Sequence, residues 1–112
     1  MALSKDKVNC SGNVLLHESV CAELNHLYER KNNDYGDSFH ETYLDEGFAA
    51  CRIRLTDKLN RFKKLTKQLE RKVEDESIRD TLVDLANYAI MTIMEIDRDK
   101  DDCHEWRKRT KR

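Results

Sequence analysis

Apolar residues recur along this chain at helical spacing, not at the alternation of strands. Leu16, Val20, Leu24, Leu27 and Tyr28 step by three or four or lie side by side, which predicts a first helix over 13–31 with Asn13 as its cap. The run Asn32-Asn33-Asp34-Tyr35-Gly36-Asp37 breaks it, because Asn and Asp tolerate left-handed backbone and Gly adopts it freely. Ser38 followed by Glu41 reads as a capping box that opens a short helix to Glu46, and Gly47 interrupts that helix. Phe48, Leu55, Phe62 and Leu69 then fall seven apart, with Leu59 one turn after Leu55, an imperfect seam along a helix over 48–69. Ser77 with Asp80 is a further N-terminal signal, opening a helix over 77–97. In it Ile78, Leu82, Val83, Leu85, Ala86, Ala89, Ile90, Ile93, Met94 and Ile96 cover about half the circumference, wider than the ~100° stripe of a surface helix. That width predicts a central helix with more than one neighbour. Residues 1–12 are polar and expected to be flexible. Residues 98–112 form a charged extension whose Trp106 is placed to dock back.

Composition narrows the fold class. The chain has 112 residues, the length of one domain. With no proline and three glycines it lacks the turn-formers that a sandwich or barrel needs. The expected architecture is all-α, a small helical bundle over 13–97. A bundle of this size buries little core alone, so completion by homo-oligomerisation, as a dimer or tetramer, is expected. No stretch approaches the ~20 apolar residues of a membrane span and no signal-peptide core is present, so a cytoplasmic protein is expected. The formal net charge is −1, but five of the last six residues, 107–112, are basic, so the body is acidic. An acidic body argues against general nucleic-acid binding, leaving only tail contacts. Cys10, Cys21, Cys51 and Cys103 form no CxxC pair and read as idle thiols, and His17 with Cys21 is two ligands short of a zinc site.

Three clusters carry candidate chemistry. On the 77–97 helix, Asp80, Asp84 and Asn87 are spaced i, i+4, i+7 on the side away from the apolar arc, with Glu76 one turn earlier. Stacked oxygen ligands of this kind suit Mg²⁺, which takes one or two carboxylates plus water and phosphate. A solvated face gives the same pattern. On the preceding helix Arg54, Asp57, Lys58, Arg61 and Lys64 place bases around one acid, a set able to hold phosphate oxygens or to make surface ion pairs. The turn contributes Lys31, Asp34, Tyr35, Asp37 and Phe39, polar and stacking groups ahead of a helix N-terminus, or else a capped turn whose aromatics plug the core. No Ser-His-Asp or Cys-His arrangement stands out.

The segments KNNDYGDSF (31–39), RLTDKLNRF (54–62) and ESIRDTLVDLANYAI (76–90) together resemble the nucleotide modification associated domain family, small proteins of phages and their bacterial hosts. The resemblance spans residues 28–96. That family is similar to the MazG-like all-α nucleoside triphosphate pyrophosphohydrolases, in which E-x-x-E on one helix and E-x-x-D on the next hold Mg²⁺ while water attacks the α/β-phosphate linkage. Asp80 matches the Asp of the second motif, and Glu76 stands one residue from the position of its acidic partner. On the preceding helix only Asp57 is acidic, with Arg54 and Asn60 three residues to either side, so the first motif is missing.

The resemblance implies a nucleotide cleft between the 48–69 and 77–97 helices, closed by the 31–39 turn. Asp57, Asp80, Asp84 and Glu76 would hold Mg²⁺, and Lys31, Asp34, Tyr35, Asp37, Phe39, Arg54, Lys58, Arg61 and Asn87 would contact the nucleotide. Three functions follow from these expectations: a Mg²⁺-dependent nucleotide pyrophosphohydrolase, a non-catalytic protein that sequesters a nucleotide or nucleotide-derived immune signal, and a helical adaptor without a small ligand.

Overall fold

The computed structural model describes the backbone of residues 5–32, 37–67 and 75–110, and side chains within 12–32, 37–67 and 77–100. Four helices follow in order: α1 (Lys5–Arg30), α2 (Ser38–Glu46), α3 (Phe48–Lys67) and α4 (Asp75–Thr110). The described residues contain no strand, and the fold is an all-α small helical bundle. None of its helices is long and apolar enough, among the described residues, to cross a membrane.

The helix boundaries depart from the sequence pattern in instructive places. α1 begins at Lys5, not 13, and Asn13 lies inside it. With no proline to stop it, the polar lead-in continues the helix, and a Cβ at Gly12 would meet nothing. The capping box at Ser38 is not used: Asp37 occupies the cap position in helical geometry without a side-chain cap bond. Ser77 likewise lies inside α4, where its carbonyl accepts the Thr81 hydroxyl at 2.8 Å. α4 runs on through the charged extension to Thr110. Docking of Trp106, the position of Leu69 and the side chain of Glu76 lie outside the described residues.

Gly47 makes the corner between α2 and α3 in one residue. Its φ of 67° and ψ of −147° lie where only glycine is unstrained, and its N–H closes α2 on the Tyr43 carbonyl at 2.7 Å. This corner folds α2 and α3 against α4, which also touches α1. α4 is thus the central helix that the width of its apolar arc predicted.

The core lies on the other face of α4 from the one expected. Met91 (2% exposed), Asn87, Glu95 and Thr81 are buried, whereas Leu82, Ile90, Ile93 and Ile96 are exposed. Phe39, Tyr43, Cys51 and Met91 form the central cluster, flanked by Tyr28, Tyr88 and Met94. Along α3, Leu55 and Phe62 are half-buried, but Phe48 and Leu59 are exposed. The amphipathic period was read correctly; what it could not show is which face packs within the chain. The radius of gyration is 18.8 Å. About 13 Å is usual for a closed domain of this length. The excess goes with the 36-residue α4 and a longest extent of 62 Å.

Candidate functional site

The site starts from two polar stripes that face each other. On α1, Ser19, Glu23, His26 and Arg30 are spaced 4-3-4, which stacks them along one face. On α4, Asp80 and Asp84 are one turn apart. α1 crosses α4 so that these stripes line a cleft of about 640 Å³, together with Ala22, Leu27, Lys31 and Val83. The sequence reading placed the cleft between α3 and α4. Those helices pack closely and are tied by Lys58 Nζ to Asp84 Oδ2 at 3.0 Å and by Arg61 Nε donating to Thr81 Oγ1 at 3.2 Å.

Two contacts set the position of α1. Asn87 is 2% exposed, and its Nδ2 donates to the Leu24 carbonyl at 3.3 Å. Arg79 forks onto Glu23, with both N–H···O distances at 2.6 Å. The guanidinium holds the Glu23 carboxyl below its ordinary range, chiefly through these hydrogen bonds, and Glu23 in turn holds the Arg79 guanidinium more firmly protonated.

The candidate residues therefore separate. Lys31, Asp80 and Asp84 share the α1–α4 cleft. Lys58 reaches it only through Asp84, and Arg61 through Thr81. Asp57 is exposed on α3 in a separate shallow depression with Ala49, Arg52, Ile53 and Thr56. Arg54 is exposed on α3. Asn87 serves as a buried clamp on α1 and not as a nucleotide contact facing the cleft. Phe39 is 4% exposed, with its ring tilted against Tyr88 at 5.6 Å between centroids, so it belongs to the core rather than to a stacking surface. Asp37 accepts from Asn32 Nδ2 at 3.4 Å and stays at the turn. Asp34 and Tyr35 lie outside the described residues.

The acids fit a magnesium ion only in part. Among the described residues no three His, Cys, Asp or Glu side chains are grouped to hold a metal. Asp80 and Asp84 supply the one or two carboxylates that Mg²⁺ takes when phosphate and water complete its shell. Asp84 is already compensated by Lys58, and Asp57 does not join the pair across α3.

Sequence reasoning missed the α1 wall, although its 4-3-4 polar spacing was legible. It also missed a second polar cluster. Glu95, 2% exposed, takes His40 Nδ1 at 2.8 and 2.9 Å and Arg98 Nη1 at 2.9 Å. Nearby the Tyr43 hydroxyl donates to Asp99, and that bond, with burial, pushes the Tyr43 phenol up to about 12. This cluster pins α2 to α4.

An acidic helix crossed by a helix with a polar, partly cationic face defines an all-α protein with a charged cleft of small-molecule size. Residues 31–96 match nucleotide modification associated domain 1, and the chain belongs to that family. No curated protein and no solved structure matches it. The matched span contains the acidic wall of the cleft and α2 and α3, whereas the α1 wall before Lys31 precedes it.

Proposed function

We propose that this protein binds a free nucleotide, modified or unmodified, in the cleft between α1 and α4. One observation carries the reading: Arg30 and Lys31 line the same cleft as Asp80 and Asp84. Paired cations and paired carboxylates on facing walls suit a phosphate chain with its divalent ion. The family's description, which associates the domain with nucleotide modification, supports the same class of ligand.

In this reading Arg30 and Lys31 hold phosphate oxygens, and Asp80 with Asp84 holds Mg²⁺. A Mg²⁺ held there would supply charge neutralisation for the phosphates and activation of water, the chemistry of the MazG-like pyrophosphohydrolases. Lys58 orients Asp84. A homo-oligomer in the host cytoplasm is part of the same proposal.

The Lys58–Asp84 pair favours a second reading. With one of the two cleft acids already compensated, the same pocket holds a nucleotide or nucleotide-derived immune signal without cleaving it, and a phage would use it to sequester that signal. Incubation with Mg²⁺ or Mn²⁺ and a nucleotide panel separates the two. Pyrophosphate release that disappears in Asp80→Asn supports hydrolysis. Intact nucleotide freed on denaturation, without release beforehand, supports capture. Absence of any thermal shift with nucleotides, cyclic dinucleotides or ADP-ribose derivatives overturns both and leaves an adaptor.

A further inference from the structure

The α1 wall of the cleft is polarised along its length. Arg30 and Lys31 stand at one end, and Glu23 and Ser19 stand toward the other. At the rise of an α-helix Glu23 lies about 10 Å from Arg30, and Ser19 about 16 Å. Ala22 lies beside Glu23, and Val83 adds an apolar side chain from the α4 wall. A nucleotide has the same asymmetry, with an anionic phosphate at one end and a hydrogen-bonding sugar and base at the other. We infer that Glu23 reads the nucleoside end of the ligand, accepting one hydrogen bond from an N–H or O–H of its base or sugar, while the phosphates lie at Arg30 and Lys31. This assignment rests on the nucleotide reading of the cleft and gives the bound molecule a direction.

The chemistry of Glu23 sets that direction. Its side chain is half-exposed where it lines the cleft. The Arg79 guanidinium holds its carboxyl below the ordinary range, so it is ionised at neutral pH. An ionised carboxylate only accepts hydrogen bonds, and so do the oxygens of an ionised phosphate. A phosphate placed at Glu23 would meet like charge and find no donor there. A nucleoside placed there brings N–H and O–H groups to an acceptor.

The Arg79 fork also limits what Glu23 can take. A carboxylate offers about four acceptor positions, and the two N–H bonds from Arg79, both at 2.6 Å, use one on each oxygen. The positions left over point apart, away from the forked edge. They suit a single donor and not an edge with parallel donors, such as the Watson–Crick edge of guanine. Because the fork fixes the plane of the carboxylate, the direction of the accepted bond is set before the ligand arrives.

Calorimetry of the full chain with Mg²⁺ and nucleoside 5′-monophosphates tests the assignment, since these have no bond for a pyrophosphohydrolase to cut. Adenosine 5′-monophosphate is compared with purine riboside 5′-monophosphate, which lacks only the amino group, and with its 2′-deoxy and 3′-deoxy forms, which each lack one hydroxyl. Cytidine 5′-monophosphate is taken through the same series, with pyrimidin-2-one riboside 5′-monophosphate as the form without the amino group. In at least one series an analogue is expected to bind wild type about tenfold more weakly than its parent, and that analogue identifies the donor as amine or hydroxyl. In Glu23→Ala the difference shrinks to about twofold or less, while inorganic phosphate binds no more weakly than in wild type. Arg30→Glu weakens inorganic phosphate and every nucleotide together and leaves the difference in place. Equal binding of all analogues to wild type, a difference that survives Glu23→Ala, or tightest binding of guanosine 5′-monophosphate overturns the assignment and leaves the nucleotide reading standing. Loss of inorganic phosphate in Glu23→Ala would put the phosphate at Glu23 and overturns it too. A wild-type chain that binds none of these monophosphates also overturns it, and the nucleotide reading falls with it only if the thermal-shift panel is blank as well.

Discussion

Lys58 on α3 meets Asp84 on α4 at 3.0 Å, and through that contact a cation from outside the cleft controls an acid inside it. The side chains are 28% and 30% exposed, so the pair is neither wet nor fully desolvated. Lys58→Met is expected to cost about 1 kcal/mol or less, read as a small drop in melting temperature. Its larger effect falls on metal: with the Lys58 ammonium gone from beside Asp84, Mg²⁺ affinity measured by calorimetry rises relative to wild type. Unchanged affinity would show that Asp84 does not face the ion.

Opposite Asp84, the α1 cations make a directional prediction. Arg30→Glu reverses one of them and is expected to weaken nucleotide binding by at least about tenfold, a loss of about 1.4 kcal/mol, with the fold intact by circular dichroism. Arg54→Glu, on the exposed side of α3, is expected to change binding little. Equal losses at both positions would point to overall charge and not to the cleft.

Glu95 is a carboxylate almost wholly removed from water, and His40 and Arg98 compensate it. Removing His40 strips both of its contacts to that buried acid. His40→Ala is expected to destabilise the fold by about 1–3 kcal/mol in urea titration. His40→Ala combined with Glu95→Leu is expected to recover part of that loss, since an apolar pair leaves no buried charge unmatched.

The Tyr43 phenol is raised to about 12 from an ordinary 10.0. Folding therefore favours its protonated form. This contribution is fully present below pH ~10, where the unfolded tyrosine is still protonated, and is lost as pH rises through about 12. An ultraviolet titration should show one of the four tyrosines ionising late, and Tyr43→Phe should remove that late step.

At Glu23 the sign reverses. Its carboxyl is held below the ordinary 4.5 by the Arg79 fork, so the pair's contribution is present above pH ~4.5 and fades as pH falls through the lowered value. The Glu23 carboxyl carbon, followed by NMR, should titrate below 4.5 and return toward it in Arg79→Gln.

How much of this was readable from the residues depends on the range of the interaction. Gly47 and the helix it ends were legible because a positive-φ corner is a local demand that glycine meets. The period of α4 was legible too. Its orientation was not, because Asn87, Met91 and Glu95 mark the inward face only once Leu24, Cys51 and His40 are brought against the bundle from far along the chain. The same limit hid the α1 wall of the cleft. Asp57 and Asp80 both looked like ligands on their own helices, yet helix crossing placed Asp80 opposite α1 and left Asp57 on the outside of α3.

The family match begins at Lys31, so it takes in the α4 acids of the cleft and leaves out most of the α1 groups that face them. A chain that kept 31–96 but carried a different leading helix would retain the acids and exchange the groups facing them. Ligand preference could then drift through one replaceable strut, without rebuilding the bundle that bears the carboxylates.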